Sequence, residues 1–186
     1  IFGSIDFDFI SESLLPELCP QADAPLRVGE MKYDVIVVPG CETLRSSTLE
    51  RLEKFRADGG RVIFLGEAPT LENAQPSDRG ARLFASSEHI PYQRASLLTA
   101  LDSERSVCIR DEDGYLSDGL IYQLREDTDS LWLFVAHGVE PYDCNITNHD
   151  DIKITVKGEY SPVIYDTLSG ELKPVQFDYL NGDTVI

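Results

Sequence analysis

The stretch from Tyr33 to Pro69, YDVIVVPGCETLRSSTLERLEKFRADGGRVIFLGEAP, constrains the fold more than any other. Val35-Ile36-Val37-Val38 is an unbroken β-branched run, the pattern of a strand buried on both faces of a parallel sheet. Pro39-Gly40 closes it. Ser47 followed by Glu50 has the spacing of a capping box, which predicts a helix start there. Leu49, Leu52 and Phe55 then fall on one stripe, against a charged face of Glu50, Arg51, Glu53, Lys54 and Arg56. Gly59-Gly60 supplies a left-handed stop, and Arg61 to Gly66 is the next strand. Strand, helix and strand make one βαβ unit, whose crossover is right-handed.

Around this unit the signals are weaker. Ile5, Phe7 and Phe9 alternate with Asp6 and Asp8, which predicts an edge strand with one wet face. Ser11 to Cys19 reads as a short helical turn ended by Pro20, and 20–32 as a loop. Residues 70–90 read as a loop with one turn near Ala81 to Phe84. Leu97, Leu98 and Leu101 mark a last helix over 92–102. From Ser106 onward the texture changes to short strands: Ser106–Arg110, Leu120–Arg125, Leu131–Ala136, Ile152–Val156, Pro162–Tyr165 and Glu171–Asp178. Lys157-Gly158, Ser169-Gly170 and Asn181-Gly182 punctuate them. The expected fold is α/β: a flavodoxin-like parallel sheet lacking its first βα unit over 1–105, then an antiparallel, β-sandwich-like domain over 106–186. The missing unit, and the mid-strand pattern of Val185-Ile186, read as a piece of a longer protein.

Composition excludes several function classes. With 33 acidic against 16 basic residues the formal charge is −17, so the chain lacks the cationic footprint of a nucleic-acid binder. The same charge disfavours an anionic membrane surface, and no apolar run approaches the ~20 residues of a span. Cys19, Cys41, Cys108 and Cys144 are scattered with no CxxC pair, so neither a zinc site nor a disulfide framework is indicated. No GxGxxG, GxxxxGK[ST] or GxSxG motif is present, and no cofactor or metal is expected. Compartment is not legible.

Candidate chemistry is sparse. Cys41 follows a strand and a Pro-Gly turn, but a reactive thiol needs a cationic neighbour or a helix N-terminus, and Glu42 stands beside it. A small, half-buried structural residue is the default for Cys41. Glu42 and Glu67 fall at the carboxyl edge of the predicted sheet, where open α/β folds bind ligands. One carboxylate alone does not make a glycosidase pair. Asp113-Gly114 reads as a hairpin turn rather than a calcium loop. Asn148-His149-Asp150-Asp151 reads as a solvated loop, Asn145-Ile146-Thr147 matches a glycosylation sequon, and His137 closes an apolar strand. Trp132 and Phe134 share one face of their strand and read as core.

YDVIVVPG, the helix ending FRADGG, and RVIFLGEAP resemble the core of the class I glutamine-amidotransferase-like fold. In its catalytic members a cysteine sits at the sharp turn after the strand that is RVIFLG here. That position falls at about Gly66, so the resemblance implies a domain without its nucleophile. The succession of IDFDFISESLL, this core, GLIYQLREDTDSLWLFVAHG and the turn YDTLSGE is similar to the degenerate domain and following β domain of large bacterial glycoside hydrolases of the α-L-rhamnosidase and β-galactosidase type. The resemblance spans roughly residues 5–186. It implies a non-catalytic accessory region whose partner is the catalytic barrel of the parent chain, with contacts in a homo-oligomer as another role. The alternatives are a cysteine hydrolase using Cys41, or a carbohydrate-binding module using Tyr115, Tyr122, Trp132 or Tyr160.

Overall fold

A computed structural model describes residues 4–140 and 151–186. These form two compact units, Asp8–Ala100 and residues 4–7 together with Leu101–Ile186.

The first unit opens with α1 (Leu15–Leu18) and the hairpin β1 (Leu26–Val28) and β2 (Met31–Tyr33). The expected βαβ unit follows as β3 (Val35–Val38), the short β4 (Thr43–Leu44), α2 (Ser46–Ala57) and β5 (Arg61–Leu65). Then come β6 (Leu71–Glu72), β7 (Gln75–Pro76), α3 (Arg79–Ser86), β8 (Glu88–Ile90) and α4 (Arg94–Ala100). The main sheet is parallel, in the order β3-β5-β8, with Val38 opposite Phe64 and Leu65 opposite Ile90. Leu49, Leu52 and Phe55 bury the inner stripe of α2 against Val38, Val62 and Phe64. Gly59 takes the left-handed conformation (φ +94°), and the Gly60 N–H returns to Phe55 O at 2.9 Å.

The start of α2 corrects the sequence reading. Arg45 is the cap residue, Ser47 lies inside the first turn, and no side-chain capping box forms. Glu12 and Asn73 satisfy the orphan donors instead: Arg45 N–H donates to Glu12 Oε2 at 2.7 Å and Ser46 N–H to Asn73 Oδ1 at 3.1 Å. A carboxylate there also faces the positive end of the helix.

The segment 70–90 holds more than one turn. Arg79 fixes it, donating from Nε and Nη2 to both carboxylate oxygens of Glu53 (2.9 and 2.7 Å) and from Nη1 to Glu72 (3.0 Å). Such bidentate pairing is directional and stronger than a neutral hydrogen bond. Arg61 ties the opposite end of the sheet, holding Glu88 through two bonds (2.9 and 3.1 Å) and the last carbonyl of α4, Ala100 O, at 2.6 Å.

The second unit is antiparallel. Its strands are β9 (Val107–Arg110), β10 (Leu120–Glu126), β11 (Leu131–His137), β12 (Lys153–Val156), β13 (Val163–Tyr165), β14 (Leu172–Pro174), β15 (Asp178–Leu180) and β16 (Asp183–Val185). They form a four-stranded sheet, β15-β16-β12-β9, and two hairpins, β10-β11 and β13-β14. A mixed α/β chain with a parallel sheet and an antiparallel region is thus the observed class, consistent with a flavodoxin-like unit followed by β structure. Asp113-Gly114 forms a turn as expected: Gly114 has φ +84° and donates to Asp111 O at 3.0 Å.

The expected loop over 20–32 instead holds the β1-β2 hairpin, Leu26 pairing with Tyr33, and two further expectations fail. Ile5 to Phe9 is not a strand. Asp6 instead gives its N–H to the Tyr122 hydroxyl at 3.2 Å, and its carboxylate takes Arg125 Nη1 at 3.3 Å, so side-chain bonds replace a ladder. Trp132 and Phe134 are not core: they are 55% and 60% exposed. The inner face of the hairpin is Tyr122, Leu124, Leu133 and Val135, packed on Val107, Ile109 and Leu120. Cys144, the sequon and Asn148 to Asp150 lie outside the described residues.

Candidate functional site

The carboxyl ends of β3, β5 and β8 stop level with one another and open into a cleft of about 940 Å³. Gly40, Cys41 and Glu42 come from the segment after β3, and Gly66, Glu67, Ala68 and Thr70 from that after β5. His89 through Tyr92 come from β8 and its exit. Edge placement follows from parallel strands, whose connections leave at the same end. Glu42 O accepts the N–H groups of Thr70 and Leu71, each at 3.0 Å, so the first two segments are tied together.

Glycines let the third segment approach. Tyr92 lies over Gly40, where a Cβ would meet Tyr92 Cδ2 at 3.3 Å and Leu65 O at 3.2 Å. Gly66 has φ +82°, a conformation that side chains rarely adopt, and its N–H donates to Ile90 O at 2.9 Å. Tyr92 nevertheless remains 68% exposed. His89 stacks on Phe84, with ring centroids 4.4 Å apart.

All three residues singled out at this edge from sequence, Cys41, Glu42 and Glu67, line the cleft. Burial pushes the Cys41 thiol above its ordinary pKa, and the Glu12 carboxylate adds to the rise. Both effects oppose the thiolate a nucleophile needs. Gly66, at the sharp turn after β5, offers backbone geometry without a reacting side chain. The Glu42 and Glu67 carboxylates are exposed and make no hydrogen bond or ion pair among the described residues. The other glutamates of this region that the fold consumes, Glu12, Glu53, Glu72 and Glu88, are all bonded.

No family model, curated protein or solved structure matches this chain.

Among the described residues no three His, Cys, Asp or Glu side chains gather to hold a metal ion. No helix among them is long and apolar enough to cross a membrane. Cys19, Cys41 and Cys108 are free thiols. His89 and Tyr92 escaped the sequence reading because β8 did: Glu88-His89-Ile90 lacks a β-branched run. The available signal was Pro91, which biases Ile90 toward extended backbone.

The second unit carries a different surface. Ile121, Gln123 and Arg125 stand opposite Ala136, Phe134 and Trp132, and cross-strand partners share a face. Tyr165 meets Trp132 edge-on, with centroids 6.3 Å apart. Val163, Ile164 and Leu172 of the neighbouring hairpin are also exposed.

Proposed function

We propose that the chain is a non-catalytic accessory region of a bacterial glycoside hydrolase acting on plant or complex polysaccharides, docked on the catalytic barrel of its parent. The observation that carries the docking is the exposed apolar face of Ile121, Trp132, Phe134 and Tyr165. Exposed apolar area of this kind marks an interaction surface, and its burial contributes about 25 cal/mol per Å². The carbohydrate context rests on the sequence resemblance. The non-catalytic character is supported by glycine at the sharp turn after β5 and by a Cys41 thiol held protonated.

Net charge works against a second copy as occupant: residues 1–7 and 101–186 carry 19 acidic against 6 basic side chains, so two such units repel each other overall.

The test is co-elution of the chain with the separately expressed barrel, for the parent sequence and for a Trp132→Glu, Phe134→Glu double variant. The proposal expects association by the parent sequence and its loss in the variant, with the strand signal in circular dichroism unchanged. Failure of the parent sequence to associate, or undiminished association of the variant, overturns it.

A further inference from the structure

We infer that the partner surface docked on the Trp132 face is apolar along its body and carries lysine or arginine side chains at one end. This rests on the docking reading above and names the chemistry of the surface that the reading calls for.

Two hairpins build one apolar strip. Trp132 stands opposite Arg125, one rung inside the closed end of β10-β11, where Glu126 pairs with Leu131. Tyr165 stands opposite Leu172 on the last rung of β13-β14. The edge-on contact of these two rings, 6.3 Å between centroids, therefore joins the turn ends of both hairpins. Alternation puts Val163 and Pro174 on the face of Tyr165 and Leu172, and Ile121 and Phe134 on the face of Trp132. Neither strand of β13-β14 buries a residue. A two-stranded hairpin left so bare is marginal in water, so this strip is the part of the unit that most needs a cover.

Charge then sets which cover fits. Just beyond the ring contact, Glu126, Asp127 and Asp129 gather at one turn and Asp166 and Glu171 at the other. The lysine and arginine of these hairpins are already engaged. Arg125 Nη1 donates to Asp6 Oδ2 at 3.3 Å and to the Leu124 carbonyl at 2.9 Å, and Lys173 donates to Asp166. Glu126, Asp127, Asp129 and Glu171 keep no ion pair among the described residues. The strip is thus apolar along its length and acidic at its turn end. An interface pairs an apolar centre with a rim of opposite charge, so the fitting surface is apolar and ends in cations. A second copy would set carboxylates against carboxylates.

Titration of the ¹⁵N-labelled full chain tests this, with a capped hexapeptide of three leucines followed by three lysines as probe. Control peptides replace the lysines by glutamates or the leucines by serines, and cellotetraose is the uncharged control. Saturable shifts are expected at the Trp132 indole N–H and the amides of Phe134, Tyr165 and Leu172. The leucine–lysine peptide should bind about fivefold or more tightly than any control, and about fivefold more weakly in ~0.5 M salt than at low salt. The triple variant Asp127→Asn, Asp129→Asn, Glu171→Gln, which changes only exposed side chains, should weaken it about fivefold or more. Equal binding of the leucine–glutamate peptide, tighter binding of cellotetraose, shifts confined to other residues, or no shifts, overturn the inference. Co-elution with the separately expressed barrel keeps the two readings apart. Association that ignores both salt and the triple variant leaves the docking intact and strikes the charge assignment, whereas no association strikes the barrel as partner and leaves the peptide result to decide the chemistry.

Discussion

Glu12 caps a helix that begins 34 positions later in the chain: its Oε2 accepts the Thr48 hydroxyl at 2.7 Å, inside the first turn of α2. The same oxygen takes the Arg45 N–H. One carboxylate thus joins the loop before α1 to the helix that covers the parallel sheet.

Removing it leaves two donors without this acceptor, the exposed Arg45 N–H and the part-buried Thr48 hydroxyl. Glu12→Ala is expected to destabilise the fold by about 1–3 kcal/mol in chemical denaturation, and Glu12→Gln by less, because an amide oxygen still accepts. Equal stability of Glu12→Ala and the parent sequence would show that α2 does not depend on this cap.

The two glycines after α2 differ in what they tolerate. A Cβ at Gly60 would lie 2.4 Å from the Phe55 ring, whereas nothing stands within 4 Å of one at Gly59. Gly60→Ala should cost about 2–4 kcal/mol through forced repacking of a fully buried aromatic. Gly59→Ala should cost about 1 kcal/mol, from its positive φ alone. Thermal or denaturant melts that rank the pair the other way would contradict the packing described here.

The Arg79 network gives a signed dependence on pH. Hydrogen bonding from Arg79 holds the Glu53 carboxyl below its ordinary value near 4.5. Its contribution is therefore complete above that value and is lost as pH falls through the depressed one. The stability lost between about pH 7 and about pH 3 should be smaller in Glu53→Gln than in the parent sequence. Identical losses would remove the coupling.

Cys41 should alkylate slowly at neutral pH, with its rate still rising above the range of an ordinary thiol, because burial and then Glu12 raise its pKa. Glu12→Gln should move that rise to lower pH. Rapid modification of Cys41 at neutral pH would reopen a nucleophile role.

How far the sequence reached depends on the kind of signal. The βαβ unit was legible because β-branched run, helical stripe and double glycine agree locally. The cap was not, since Glu12 acts through a contact that no short-range spacing encodes, and Ser47 merely had the right neighbours. β8 was hidden because Glu88 is held by Arg61 from another strand, a tertiary bond rather than a propensity. In β11, alternation grouped Trp132 with Phe134 correctly but could not say which face is buried, since Leu133 and Val135 opposite them are apolar too. Glu42, Glu67 and Cys41 were found by position at strand ends. His89 lies within β8 and Tyr92 just after it, a strand that the sequence pattern hides.

The central claim is that the Trp132 face is an interface, and residue-level hydroxyl-radical footprinting tests it most directly. Oxidation of Trp132, Phe134 and Tyr165 is compared between this chain alone and the same residues within the glycoside hydrolase proposed as its parent. The account predicts ready oxidation in the isolated chain and strong protection in the parent, with exposed Tyr92 unchanged as an internal reference. Equal oxidation of Trp132 and Phe134 in both would contradict it.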